Sequence, residues 1–165
     1  MTKYSLFVAL IVWLLGCATP YQEMGYAGGF EHRMLAEDVY AIAFSGNGFT
    51  SPKRVKDFSM LRAAEIGSKL GFTHFVVLGS EDQSASERIQ TGTTSNTTGS
   101  VYGTGNYATY SGTTTTHANT TYVFKPGVEI GVKYFEGPPE GRFLEVFDVQ
   151  EVLERLRQEY GIKPE

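Results

Sequence analysis

The chain has 165 residues, 14 Lys and Arg against 18 Asp and Glu for a net charge of −4, and one cysteine. That length suits one ordinary domain, and the acidic balance excludes the basic footprint of a nucleic-acid binder. A single cysteine excludes an intrachain disulfide and a thiolate-rich metal site.

The N-terminus has the layout of a signal peptide. Lys3 and the α-amino group are positive, and Leu6 to Leu15 is an unbroken apolar run. Ten helical residues would span about 15 Å, half of a hydrocarbon core of about 30 Å. The run therefore fits a signal h-region rather than a membrane span. It ends in Leu14-Leu15-Gly16-Cys17, which resembles the bacterial lipobox. The resemblance implies that Leu14 and Gly16 are read during processing and that the Cys17 thiol is alkylated by diacylglycerol. Cys17 would then become the first residue of the mature chain. Leu15 is bulkier than the motif's usual middle residue. The competing readings are an ordinary signal peptide with an unrelated cysteine, or a short uncleaved anchor. Ala18, rather than Asp, follows Cys17, which the resemblance associates with the outer membrane of Gram-negative bacteria. One acyl chain binds a bilayer marginally and two or more bind it stably; the three implied here would hold the protein firmly. Loss of residues 1–16 removes Lys3 and leaves a mature charge of −5.

Residues 17–34 hold Pro20, Gly25, Gly28 and Gly29 and read as the lipidated cysteine and a flexible tether. A single domain is expected over 35–165. Val39 to Ser45 alternates Tyr40, Ile42 and Phe44 with the small Ala41, Ala43 and Ser45, so both faces suit burial and a central strand is expected. Gly46-Asn47-Gly48 ends it. Ser51 and Pro52 open a helix whose body runs from Lys53 to Leu70 and stops at Gly71. Its apolar stripe is Val55, Ala63, Ile66 and Leu70, widened by Phe58 and Leu61. Arg62 and Glu65 stand three apart, so they can pair, either as a ligand-binding charge pair or as an ion pair that fixes the helix on the sheet. Phe72 to Gly79 reads as a second strand. Phe75-Val76-Val77-Leu78 is continuously apolar, so both faces are expected to be covered. Strand, helix and strand together have the length of a β-α-β crossover.

Phe44-x-Gly46-Asn47-Gly48-x-Thr50, Leu61-Arg62-Ala63-Ala64-Glu65 and Gly71-Phe72-x-x-Phe75-Val76-Val77 together resemble a family of small Gram-negative outer-membrane lipoproteins. Those proteins share a lipobox, a Gly-Asn turn, an Arg-Ala-Ala-Glu helix and a Gly-rich mid-section. The resemblance covers roughly Tyr26 to Leu78. It implies outer-membrane attachment and carries over no catalytic residue.

Residues 89–124 contain no Asp, Glu, Lys or Arg and 13 Thr, 5 Gly and 4 Tyr. Thr and Tyr favour strands, whereas Gly, Asn and few apolar residues favour disorder. Strands are expected near Ser84–Gln90 and His117–Phe124, joined by a long mobile loop or irregular hairpin. One reading makes this a contact surface for glycan or an envelope protein, with Tyr102, Tyr107 and Tyr110 as stacking groups. The other makes it a neutral low-complexity insertion. After Pro126-Gly127, the alternation from Val128 to Phe135 predicts an antiparallel or edge strand. Phe143 to Phe147 suits a short strand. Asp148 and Glu151 then open a helix with Val149, Val152, Leu153 and Leu156 on its apolar face, stopped by Gly161.

No sequence motif for catalysis emerges. His32, His74 and His117 are scattered, with no HxH or HExxH spacing. No Gly-x-Ser-x-Gly elbow occurs. The expected fold is α+β: a mixed sheet of about four or five strands, one long helix on its face, a C-terminal helix and a long Thr/Gly-rich hairpin or loop. The expected function is non-enzymatic, a binding or scaffold module anchored to the outer membrane and facing the periplasm, with no cofactor and no nucleic-acid partner. Glycan or peptidoglycan binding through the Tyr/Thr segment and a metal-binding envelope sensor are the alternatives.

Overall fold

The fold is described from a computed structural model covering residues 17–104 and 107–164. The element order is β1 (Gly29–Ala36), β2 (Val39–Ser45), α1 (Pro52–Leu70), β3 (His74–Asp82), β4 (Ala85–Thr104), β5 (Tyr107–Lys125), β6 (Gly127–Phe135), β7 (Phe147–Asp148) and α2 (Val149–Tyr160). The fold is α+β, as expected, and the described chain divides into two compact units. Residues 86–123 make the second unit and the rest of the described chain the first.

The first unit is a five-stranded sheet in the order β1-β2-β6-β3-β7, every neighbouring pair antiparallel. β2 and β3 therefore run in the same direction with β6 between them, so β2-α1-β3 is a split β-α-β unit. β6 is antiparallel, as one of the two expected alternatives had it, and central in the sheet. Its pattern alternates because one sheet face carries the helices and the other faces water. The expected central place of β2 holds, but its outer face is covered in an unexpected way. Arg33 lies opposite Ala41 on one side, and Glu129 lies opposite Ala43 on the other. Their 2.8 Å ion pair reaches across β2 above the two alanines. Only small side chains leave room for such a bridge.

The N-terminal segment corrects the tether reading. Thr19 is fully buried. Its hydroxyl donates to the Ala27 carbonyl at 2.8 Å and accepts from the Asn47 amide at 2.8 Å. Glycines at 25, 28 and 29 build a tight turn here rather than a loose linker. Gly28 has φ 94°, and a Cβ at this position would collide with the Ser45 carbonyl. Met24 and Phe30 close the turn through a 2.8 Å backbone bond, and Gly29–Ala36 then joins the sheet as β1.

Ser51 caps α1 by accepting from the Arg54 amide at 3.2 Å, and Asp148 caps α2 by accepting from the Glu151 amide at 2.9 Å. Gly71 and Gly161 close the two helices in the left-handed conformation. The stripe expected on α1 is buried, except that Leu70 lies in the last turn, 49% exposed. On β3, Phe75 and Val76 are buried, but a bulge between Val77 and Gly79 turns Leu78 out to solvent. Both faces are therefore covered over only part of that apolar run. The short strand expected within residues 143–147 forms only as Phe147–Asp148.

Tyr134 anchors the core. Its ring meets Tyr40, Phe72 and Phe75 at 5.7, 5.4 and 6.1 Å, and its hydroxyl donates to the Ala63 carbonyl at 2.8 Å. A second cluster, Phe30, Phe44, Val55 and Phe58, lies towards the start of α1 and is closed by Tyr21 and Tyr160.

The second unit is a two-stranded ribbon of β4 and β5. The hydroxyls of Ser95 and Thr116 meet at 3.0 Å and those of Thr97 and Thr114 at 2.9 Å, a register that steps in opposite directions and makes the pair antiparallel. Of the two expected alternatives, a mobile loop or an irregular hairpin, the segment is a hairpin, regular and with strands far longer than Ser84–Gln90 and His117–Phe124. Cross-strand Ser and Thr pairs outweigh the Gly and Asn content. Tyr110 also lies over the Gly99 and Gly112 pair so closely that a Cβ on either would strike its ring. The aromatic ring replaces packing that glycine cannot supply.

Candidate functional site

The most developed polar site lies in the first unit, where α1 and α2 meet near β1. Glu65 is its centre, with only 10% of its side chain exposed. One carboxylate oxygen accepts from the Tyr21 hydroxyl at 2.5 Å and from Arg62 Nη1 at 3.2 Å; the other accepts from Arg157 Nη2 at 3.1 Å. The i, i+3 spacing brings Arg62 and Glu65 together as expected. The structure adds two partners from distant parts of the chain, Tyr21 on the N-terminal segment and Arg157 in the last turn of α2. Burial and the neighbouring carboxylate raise the Tyr21 pKa well above that of a free phenol. The Arg62 guanidinium sits 4.2 Å from the centre of the Phe30 ring, a cation–π contact strengthened by partial desolvation. The Nε atoms of Arg62 and Arg157 are buried with no hydrogen-bond partner in the protein.

A cleft of about 550 Å³ opens on this cluster. His32, Tyr40, Lys69 and Glu23 are among its lining residues. His32 has its pKa lowered by burial and by the charge of Arg62, against a weaker opposing pull from Glu23. Three cations, Arg62, Arg157 and Lys69, face two carboxylates, Glu23 and Glu65. In a chain of net charge −4, this is a local cationic excess suited to a small anion or carboxylate.

Leu14 and Gly16 lie outside the described residues. Cys17 is exposed with a free thiol, and its carbonyl accepts from Asn47 Nδ2 at 2.8 Å. Tyr102 and Tyr110 are exposed on the ribbon, at 71% and 60%. Strand alternation puts them on opposite faces, because Tyr110 shares the Thr97–Thr114 face and Tyr102 does not. They do not form one stacking platform. The Tyr107 side chain lies outside the described residues. Among the described residues, His, Cys, Asp and Glu form no group of three or more that could hold a metal ion, and no helix is long and apolar enough to cross a membrane. Sequence reasoning missed Tyr21, Phe30 and Arg157. No local spacing signals them, because each reaches Glu65 or Arg62 only through the fold. Compared with known protein families, curated proteins and solved structures, the chain shows no significant match.

Proposed function

We propose that this protein is a lipid-anchored cell-envelope lipoprotein, held in the outer membrane and facing the periplasm, that works as a non-enzymatic binding or scaffold module. One observation carries the reading: the apolar run Leu6 to Leu15 ends in Leu14-x-Gly16-Cys17, and two residues after Cys17 the chain is fully buried at Thr19. Cleavage before Cys17 would leave this buried segment intact, and Cys17 is exposed for modification. The Arg62–Glu65–Arg157 cleft is the natural binding site of such a module, for a small anionic ligand. Labelling cells with a fatty-acid analogue tests the anchor. The wild type takes up label and sediments with membranes, and Cys17→Ser does neither. Label on Cys17→Ser would sink the proposal.

A second reading, glycan or peptidoglycan contact through the ribbon, is favoured by the exposure of Tyr102 and Tyr110. Muropeptide binding that disappears when residues 91–116 are deleted would support it. Binding that survives the deletion would exclude it.

A further inference from the structure

We propose that the face built around Cys17, from the turn at Met24–Gly28 and the loop at Gly46–Thr50, rests directly on the bilayer surface, with Tyr26 and Phe49 seated at headgroup level. This inference rests on lipidation of Cys17 and goes beyond it by fixing the orientation of the domain.

Two Cα steps separate Cys17 from Thr19, at most about 7.6 Å. Thr19 is 0% exposed, and its amide donates to Thr50 Oγ1 at 2.9 Å. The Cys17 carbonyl is itself held by Asn47. An acyl chain on Cys17 therefore has no slack tether behind it, and the bilayer must lie against whatever surrounds Thr19.

Two exposed aromatic residues surround it. The Asn47 side chain that holds Cys17 also accepts from the Phe49 amide at 3.0 Å. Phe49 is 75% exposed. Thr19 binds the carbonyl of Ala27, and the adjacent Tyr26 stands fully exposed at 111%, with Met24 at 39%. Tyr26 and Phe49 are each linked to Cys17 or Thr19 by no more than two residues and one or two hydrogen bonds. Among residues 17–30 and 46–52 the only charge is Glu23. The face therefore has few charges to desolvate, and aromatic side chains favour the membrane–water interface. The acyl chains supply the affinity and the aromatics set the angle.

The sheet register defines the opposite end. Gly29 pairs with Ser45 beside the anchor, while Ala36 pairs with Val39 about 23 Å away along β1. Leu35, 56% exposed at that far end, should stand clear of lipid.

The test uses tryptophan, because Trp13 is the chain's only one and lies in the signal. Full-length lipoprotein carrying Phe49→Trp, Tyr26→Trp or Leu35→Trp is purified from membranes and reconstituted in phosphatidylethanolamine–phosphatidylglycerol vesicles, with or without brominated acyl chains. The fluorescence of the Phe49→Trp and Tyr26→Trp proteins is expected to fall at least about twofold on bromination, and that of the Leu35→Trp protein by less than about a tenth. Acyl mass and flotation with the vesicles report the anchor separately. Acylated, floating Phe49→Trp and Tyr26→Trp proteins that both stay unquenched overturn the orientation and leave the anchor standing. A protein with neither acyl mass nor flotation overturns both. Phe49→Trp emission that is blue-shifted yet unquenched would mean that a protein covers this face, which also overturns the proposal.

Discussion

Replacing Glu65 with leucine is expected to destabilise the fold by about 3–5 kcal/mol, because two partly buried guanidiniums lose their shared counter-charge. The lower part of that range is the better expectation, since Arg62 and Arg157 keep 16% and 23% side-chain exposure. Tyr21 would also lose its acceptor. Urea unfolding should show a lower midpoint at unchanged slope. Adding Arg157→Leu should recover part of the loss, because it removes one of the stranded charges. A loss below about 1 kcal/mol would mean that the cluster behaves as an exposed surface pair. The same cluster predicts an alkaline limb. The raised pKa of Tyr21 keeps its proton on in the folded state, while the unfolded phenol ionises near pH 10. The contribution is fully present below about pH 10 and is lost as pH rises beyond it. Tyr134 and Tyr160 act with the same sign, through burial first. Tyr21→Phe should therefore make the alkaline fall shallower. His32 acts at the other end, since its lowered pKa removes stability as pH falls below about 6.5.

The elements with local signals are legible in the sequence, and those with long-range causes are not. Ser51, Pro52 and Gly71 mark α1, and Asp148, Glu151 and Gly161 mark α2, because caps act within one turn of the chain. Period-two alternation places β2 and β6, but nothing in it tells a central antiparallel strand from an edge strand when one face is solvated. β1 is hidden for a related reason. Glu31, His32 and Arg33 read as a polar linker, and pairing with β2 is what makes them a strand. The ribbon escapes a compositional reading, which counts Gly and Asn against order without counting the cross-strand Thr pairs. Of the cleft, only the Arg62–Glu65 pair is visible in the sequence. Tyr21 and Arg157 stand 44 and 92 residues from Glu65, and no spacing rule spans that distance.

Tyr134→Ala is expected to have the other large effect, about 3–5 kcal/mol, since it empties the centre of the core where the side chain is 1% exposed. Tyr134→Phe should cost only about 0.5–1.5 kcal/mol, because the Ala63 carbonyl that accepts its hydroxyl lies inside α1 and keeps its helical bond. The ring also explains Gly67 in the last turn of α1. A Cβ there would come within 3.0 Å of the Tyr134 ring and of Val149, so the position accepts glycine's weak helix propensity in exchange for close packing. Gly67→Ala should therefore destabilise the wild type. In the Tyr134→Ala background the clash with the ring is gone and only the contact with Val149 remains, so the cost of Gly67→Ala should fall, with the better helix former offsetting up to about 1 kcal/mol of it. The two substitutions should couple strongly in a double-mutant cycle. Strict additivity would mean that the Tyr134 ring does not determine the choice of glycine at this turn of the helix.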